Sequence, residues 1–452
     1  MTGFKGHGFD CQPRHRAAAP TAPSRLYSLH HLVAMEIELV TKILLQSIFD
    51  RLIRHGRLQI TWPDGTESVF TGSAGASAHF RLTDWAAARR LAANPGLAFG
   101  EAYMDGTLQP VNGTIFDVLD ILLTNIQTGA THPILRLHQQ MRALMRWRRE
   151  RNNVASAHRN VAQHYDLNLD FYRKFLDEDL QYSCALFPRG DETLDAAQRA
   201  KKRLIAKKLH LNRPGLTVLD IGCGWGGLAL TLAQEYGAQV IGITLSTEQL
   251  AVARHRADQA GLTDRVRFER ADYRQMGQVF DRVVSVGMME HVGVVNFDAF
   301  FRTIRACLTD EGIALIHHIA RSDGPGTTAA WLQKYIFPGG YSPALSEVLP
   351  SVERSGLILT DLETLRLHYA QTLCHWRARF ARTRDEIAEM YDERFCRMFE
   401  FYLAGAELAF RRERQVVVQM QLSPSQESLP ATRDYMLDAG CRTAPERQLI
   451  DA

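Results

Sequence analysis

The stretch Val218–Gly227, VLDIGCGWGG, decides how this chain is read. A short apolar run ends on closely spaced glycines, and the helical pattern LALTLAQEY follows. A strand, a glycine turn and a helix together aim backbone N–H groups and the positive end of a helix at a ligand. Gly222, Gly224 and Gly227 satisfy the G-x-G-x-x-G spacing of dinucleotide sites, but that spacing alone is weak. Dinucleotide folds also place an acid at the end of the second strand, for the ribose hydroxyls. Here that strand runs into IGITLSTEQL, with no carboxylate before Glu248. An acid lies instead inside the first strand, at Asp220. A carboxylate there anchors the glycine turn or meets the cationic amino-acid end of S-adenosylmethionine. The arrangement points to that cofactor.

Outward from this turn, LTVLDIG, AQVIGITLS, VRFERAD, FDRVVSVG and GIALIHHIA read as strands separated by helical patterns. Such alternation predicts an α/β, doubly wound, mostly parallel sheet with ligands at the carboxyl ends of its strands. LILTDLETL and QVVVQMQLS complete seven strands and are expected as a reversed hairpin at one edge. This methyltransferase-type catalytic domain is assigned to residues 156–423. Residues 35–130 read as a smaller α+β unit for lipid or membrane docking. It opens on a helix at Met35, turns a hairpin at Asp64-Gly65, and stops a second helix at Asn94-Pro95-Gly96. Residues 131–155 form a basic linker with arginines at 136, 142, 146, 148, 149 and 151. It suits either an anionic membrane surface or a solvated helix between domains. Residues 1–34 and 424–452 are expected to be a disordered leader and tail.

Composition narrows the function classes. Formal net charge is only +3, which implies no polyelectrolyte partner and hence no nucleic acid. The seven cysteines form no C-x-x-C pair, which argues for reduced thiols in the cytoplasm and against a structural metal site. No apolar run approaches the ~18 residues that span a bilayer, and the first residues lack the apolar core of a secretory signal.

The missing ribose acid, replaced by Thr244-Leu245-Ser246-x-x-Gln249, resembles the cyclopropane-fatty-acyl-phospholipid synthase family and the related mycolic acid cyclopropane synthases. The resemblance extends from His164 to Ser423 through HYDLNLDFY, YSCALF, GITLSTEQ, FDRVVSVGMMEHVG, GIALIHHIA, YIFPGG and HYAQTLCHW. GLAFGEAYMDG looks like the amino-terminal domain of the bacterial phospholipid-acting branch, which the mycolic branch lacks. The resemblance implies that the segment before the glycine loop covers the cofactor and faces the acyl chain, with His164, Tyr165 and Asp166 shaping the lid. It implies cofactor contacts at Tyr182, Ser183, Gly222, Gly224, Gly226, Thr244 and Gln249, beside Asp220, with Asp272 and Tyr273 around the adenine. It implies a bound bicarbonate as base, held by Cys184, Glu290, His317, Tyr369 and the Ile319 N–H, with His317 helping to neutralise the cluster. It implies an unsaturated membrane phospholipid as substrate, peripheral association with the inner membrane face, and a possible homodimer.

Taken singly, each of these residues has a plainer reading. A free cysteine such as Cys184 is usually a small buried hydrophobe, and His317 in an apolar strand suits a core histidine. Other outcomes stay open. The same carbocation can yield a methyl-branched or exomethylene chain, some amine N-methyltransferases share the scaffold, and a lipid carrier without activity is a further class.

Overall fold

The computed structural model describes residues 25–127 and 168–437. Its first unit runs α1 (Arg25–Leu52), β1 (His55–Thr61), β2 (Glu67–Thr71), β3 (Ser73–Leu82), α2 (Trp85–Ala93), α3 (Pro95–Met104), β4 (Leu108–Pro110) and α4 (Ile115–Gln127). The sheet order is β2-β1-β3-β4, and β1 pairs antiparallel with β2 across the Asp64-Gly65 turn. Gly65 has φ +78°, a left-handed value that glycine takes without strain. Asn94 closes α2, and Pro95 then opens α3 at a first-turn position where its missing N–H costs nothing. Helix α1 starts at Arg25, ahead of Met35, so the leader expected over residues 1–34 shares its last residues with this helix.

The larger unit begins with α5 (Leu169–Phe175) and α6 (Leu194–Lys208). It continues through β5 (Thr217–Ile221), α7 (Gly227–Tyr236), β6 (Gln239–Thr244), α8 (Thr247–Gln259), β7 (Val266–Arg270) and β8 (Phe280–Val286). Then come α9 (Phe297–Ala306), β9 (Leu308–Arg321), α10 (Ala330–Tyr335), α11 (Leu345–Arg354) and β10 (Ile358–Thr364). Three helices, α12 (His368–Arg382), α13 (Arg384–Met390) and α14 (Glu393–Arg412), lead into β11 (Gln415–Ser423). The seven-stranded sheet has the order β10-β11-β9-β8-β5-β6-β7. β5 pairs parallel with β6 and β8, while β11 runs antiparallel to both β9 and β10.

The last two strands do pair antiparallel at one edge, as expected, but not as a directly connected hairpin. Three helices separate them, and β11 enters between β9 and β10. The physical reason is burial: Val417–Ser423 are all buried, as an inner strand requires, whereas β10 is half-exposed along its length. The tail expected from 424 onward is also ordered through Leu437. Met436 is buried, Arg433 pairs with Asp361 at 2.9 Å, and the Tyr435 hydroxyl donates to Gln421 Oε1 at 3.0 Å.

Helix α14 joins the two units. Ala404 and Leu408 pack in the core of the first unit, while Phe399, Tyr402 and Leu403 pack in the aromatic core beside the cleft. Polar ties flank this seam: Arg412 with Asp120 at 2.8 Å, Lys334 with Glu101 at 2.6 Å, and the Tyr103 hydroxyl with Glu400 at 2.7 Å. Gly100 admits the Trp331 ring, which any Cβ there would meet. The basic linker expected at 131–155, and His164, Tyr165 and Asp166, lie outside the described residues.

Candidate active site

A cleft opens at the carboxyl ends of β5, β6 and β8. Gly222 and Gly224 line it with φ +82° and +54°, conformations that favour glycine. The Gly222 and Cys223 N–H groups donate to the Ile243 carbonyl at 2.9 and 3.0 Å, which pins the turn to β6. Asp220 also lines the cleft. Burial pushes its carboxyl up to about 7, and Oδ2 has no partner among the described residues. Gly226 belongs to packing rather than to the cleft wall. A Cβ there would meet the Phe268 ring at 2.7 Å and the Ala253 methyl at 3.0 Å.

The segment before α6 packs on this loop. Asp179 carries its attachment: it pairs with Arg256 and, at 2.5 Å, with Lys202, and it sits where a Gly227 Cβ would be. Gln198 Nε2 donates to the carbonyls of Gln181 and Ser183 at 3.2 and 2.9 Å. Lys201 Nζ donates to Gln181 Oε1 at 2.6 Å and Ser183 Oγ at 2.9 Å. Helix α6 thus grips Asp179–Ser183 and presents Tyr182 and Ser183 to the cleft.

At the far end of the cleft, Thr244 Oγ1 donates to Gln249 Oε1 at 2.9 Å, both groups buried. Asp272 and Tyr273 line this end. Asp272 is held by Arg274 through Nε at 2.8 Å and Nη2 at 2.6 Å, and the Tyr273 ring lies edge-on to Phe300. Val286, Gly287, Met288 and His291 close the inner wall.

The residues implied as the base site are not among those lining the cleft, and of them the structure joins Glu290 to Ile319. Glu290 Oε1 accepts the Ile319 N–H at 2.6 Å, and Oε2 is buried without a partner. Burial pushes the Glu290 carboxyl up to about 7. His317 and Ile319 share one face of β9. His317 Nδ1 meets Gln419 Nε2 on β11 at 3.1 Å, and burial drives the ring well below the usual histidine range. Burial thus opposes a charge on the His317 ring. The Ile319 N–H is already given to Glu290, so it acts on that carboxyl. Cys184 is a buried thiol, raised well above the usual range by burial, and donates to the Ala185 carbonyl at 3.2 Å. Tyr369 stands edge-on to Trp376 at 5.8 Å and 4.8 Å from the Phe410 ring. Tyr182 stacks on Trp376 at 5.1 Å, and its hydroxyl meets that of Tyr402 at 2.9 Å. Tyr182, which lines the cleft, thus belongs to a buried aromatic cluster with Trp376, Tyr402 and Tyr369.

Gln198, Lys201 and Gln419 were not singled out in the sequence. A signal existed for Lys201: it falls on the buried stripe of α6 with Leu194, Ala197, Gln198 and Ile205. Gln419 gave none beyond its place in an inner strand. Among the described residues no cluster of His, Cys, Asp and Glu is arranged to hold a metal ion.

This geometry defines an S-adenosylmethionine-dependent methyltransferase. Residues 152–420 match the family model described as mycolic acid cyclopropane synthetase, and residues 44–131 match one described as a domain of unknown function. The chain is 36% identical over 345 residues to the cyclopropane-fatty-acyl-phospholipid synthase of Escherichia coli K12, covering 76% of this chain and 86% of that protein. It is 35% identical over 386 residues to the tuberculostearic acid methyltransferase of Mycobacterium tuberculosis, covering 81% and 88%. A mycolic acid cyclopropane synthase solved with SAH and CTAB superposes with a TM-score of 0.56 at 33% identity, covering 59% of this chain and 97% of that one. The protein belongs to the mycolic acid cyclopropane synthetase family.

Proposed function

We propose that this enzyme transfers a methylene group from S-adenosylmethionine to a cis double bond in the acyl chain of a membrane phospholipid, forming a cyclopropane ring. The observation that carries this reading is Glu290, a buried carboxyl with one unsatisfied oxygen, next in sequence to the cleft-lining His291. An unactivated alkene is a poor nucleophile and must meet the sulfonium methyl in line, in a dry pocket. The Tyr182 ring, backed by Trp376 and Tyr369, excludes water and offers a face to the carbocation that attack leaves. That cation loses a proton from the new methyl group as the ring closes.

A bare carboxylate against the cation risks forming an ester, and Glu290 is tied back by the Ile319 N–H. Bicarbonate, when bound, supplies a proton acceptor that exchanges with solvent. Glu290, His317, Tyr369, Cys184 and the Ile319 position would hold it. Glu290, with its carboxyl at about 7, carries a proton it can share with such an anion, and His317, pushed toward its neutral form by burial, can donate to one.

The substrate reading extends to a peripheral site on the inner membrane face and to a possible homodimer. No helix among the described residues is long and apolar enough to cross a membrane. Val33, Met35, Ile37, Leu39, Val40 and Ile43 form an exposed apolar stretch of α1 in the unit read as the docking domain. A second reading, methyl branching without ring closure, is favoured by the likeness to a tuberculostearic acid methyltransferase.

The test is incubation with labelled S-adenosylmethionine and vesicles of unsaturated phospholipid, followed by lipid mass spectrometry. The reading requires a gain of one CH₂ with loss of the alkene. A methyl branch or an exomethylene group overturns the cyclopropane product, and transfer only to free acids overturns the phospholipid substrate.

A further inference from the structure

Residues 317–319 of β9 connect the cleft to the implied base site. The His317 carbonyl accepts the N–H of the cleft-lining Gly287 at 2.8 Å, and the Ile319 N–H goes to Glu290. Side chains alternate along a strand, so His317 and Ile319 point to one face of the sheet. Their register partners on β11 are Gln419 and Val417, which share that face. Ile319 and Val417 both pack with the cluster that holds Tyr182, Cys184 and Tyr369. The His317 ring and the Gln419 amide therefore stand on the side of the sheet where that cluster lies.

Gln419 is an amide fully buried in an inner strand. Burying an amide costs free energy unless its polar atoms are paired. Its Nε2 lies 3.1 Å from His317 Nδ1, and its Oε1 has no partner among the described residues. An amide N–H only donates, so Nδ1 is the acceptor and the ring proton stands on Nε2. The reversed amide would strand an NH₂ group in place of a carbonyl oxygen, and buried orphan donors are the rarer case. Burial also opposes a second proton on the ring. The ring is left with one donor, at the nitrogen that Gln419 does not occupy.

We propose that Gln419 is a positioning residue for the reaction: its amide N–H on Nδ1 holds His317 as the Nε2–H tautomer, so that the ring offers a hydrogen-bond donor to the anion of the base site. The assignment rests on the bicarbonate reading above. With the proton on Nδ1, the same ring would turn a lone pair toward an anion and repel it. The side chain at 419 decides between the two forms, since glutamine can donate and an ionised glutamate only accepts.

The experiment reads the tautomer directly, by ¹⁵N NMR of the full-length protein carrying ¹⁵N-histidine and loaded with S-adenosylhomocysteine at neutral pH. The His317 signals are those lost in His317→Gln. Wild type should show Nε2 protonated and Nδ1 bare. Gln419→Glu should put a proton on Nδ1, and Gln419→Met should leave the two forms mixed. In turnover on vesicles of unsaturated phospholipid, each variant should lower kcat by about 10- to 100-fold, the size of one hydrogen bond to a charged group, with S-adenosylhomocysteine affinity within about twofold of wild type. In a His317→Gln background, Gln419→Met should cost less than about twofold more, since it has no ring left to act through. Where Gln419→Glu does not melt cooperatively, Gln419→Met is read alone. A wild-type ring protonated on Nδ1 overturns the inference, as does a tautomer that the variants at 419 do not move. Unchanged kcat, or losses that add in the double variant, overturn it too, because Gln419 would then act through something other than His317. Binding of ¹³C-bicarbonate to the same samples keeps the two readings apart. Wild type that binds none overturns the bicarbonate base, while the tautomer and kcat results still decide the role of Gln419.

Discussion

The two ends of the cleft are built on different principles. Around Thr244 and Asp272 the polar side chains answer one another: Thr244 with Gln249, and Asp272 with Arg274. Toward Glu290 buried polar atoms are left over: Glu290 Oε2, and Gln419 Oε1 beside His317, have no partner among the described residues, and nor does Asp220 Oδ2 at the glycine turn. A satisfied network is rigid and shapes a binding surface, whereas an orphaned buried oxygen costs about 1–3 kcal/mol and persists where function requires it. The contrast assigns recognition to one end and chemistry to the other.

The sharpest way to break that assignment is at Glu290. Glu290→Gln keeps the size and an acceptor for the Ile319 N–H but cannot share a proton with an anion. Turnover should fall by roughly 10²–10⁴-fold, with S-adenosylhomocysteine affinity near wild type. Equal losses in both, measured by steady-state kinetics and calorimetry, would merge the two ends into one.

The same substitution should alter the response of stability to pH. The Glu290 carboxyl is raised to about 7 from an ordinary 4.5, so its contribution is fully present below about pH 4.5 and is lost as pH rises through about 7. Glu290→Gln has no such loss. Its stability relative to wild type should therefore climb across that window by up to about 3 kcal/mol and then level off. Denaturant melts between pH 4 and 8 measure this, and a flat difference would mean that Glu290 is solvated in the native protein.

Gln249→Leu probes the satisfied end. It strands the Thr244 hydroxyl, which should weaken S-adenosylhomocysteine binding by about tenfold while kcat at saturating cofactor stays within about twofold. A large fall in kcat would show that this end also takes part in chemistry.

The smallest effect is expected far from both ends. Met436→Ala, in the ordered part of the tail, should cost about 1 kcal/mol in a thermal melt and leave activity unchanged. A loss of activity would mean that the strap over β10 and β11 is coupled to the cleft.

Much of the framework was legible before any coordinates. The glycine turn, the alternation of strands and helices and the absence of a ribose acid are local or periodic features, and they dictate a seven-stranded methyltransferase fold with its cleft at Gly222. The family motifs named Glu290, His317 and Ile319, and the sheet does bring Glu290 and Ile319 within a hydrogen bond. The ordered tail was missed because TRDYM has neither period; it is held by burial of Met436 and a pairing with Asp361, a residue distant in sequence. The reversed pairing of the last two strands at one edge was expected, but the three helices between them and the inner place of β11 follow only from the assembled layers.

What the sequence determined by itself, then, was the chemistry available: an acid within the first strand, a turn of glycines, a cysteine and aromatic segment ahead of them, and a glutamate and a histidine near the ends of later strands. What only the tertiary structure decided was the state of those groups. That burial pushes His317 down and Glu290 up, that the Ile319 N–H is already taken, and that a lysine on an amphipathic helix is buried beside Ser183 all depend on desolvation and on partners from other elements. Desolvation and charge pairing are properties of three-dimensional neighbourhoods, and a linear pattern does not contain them.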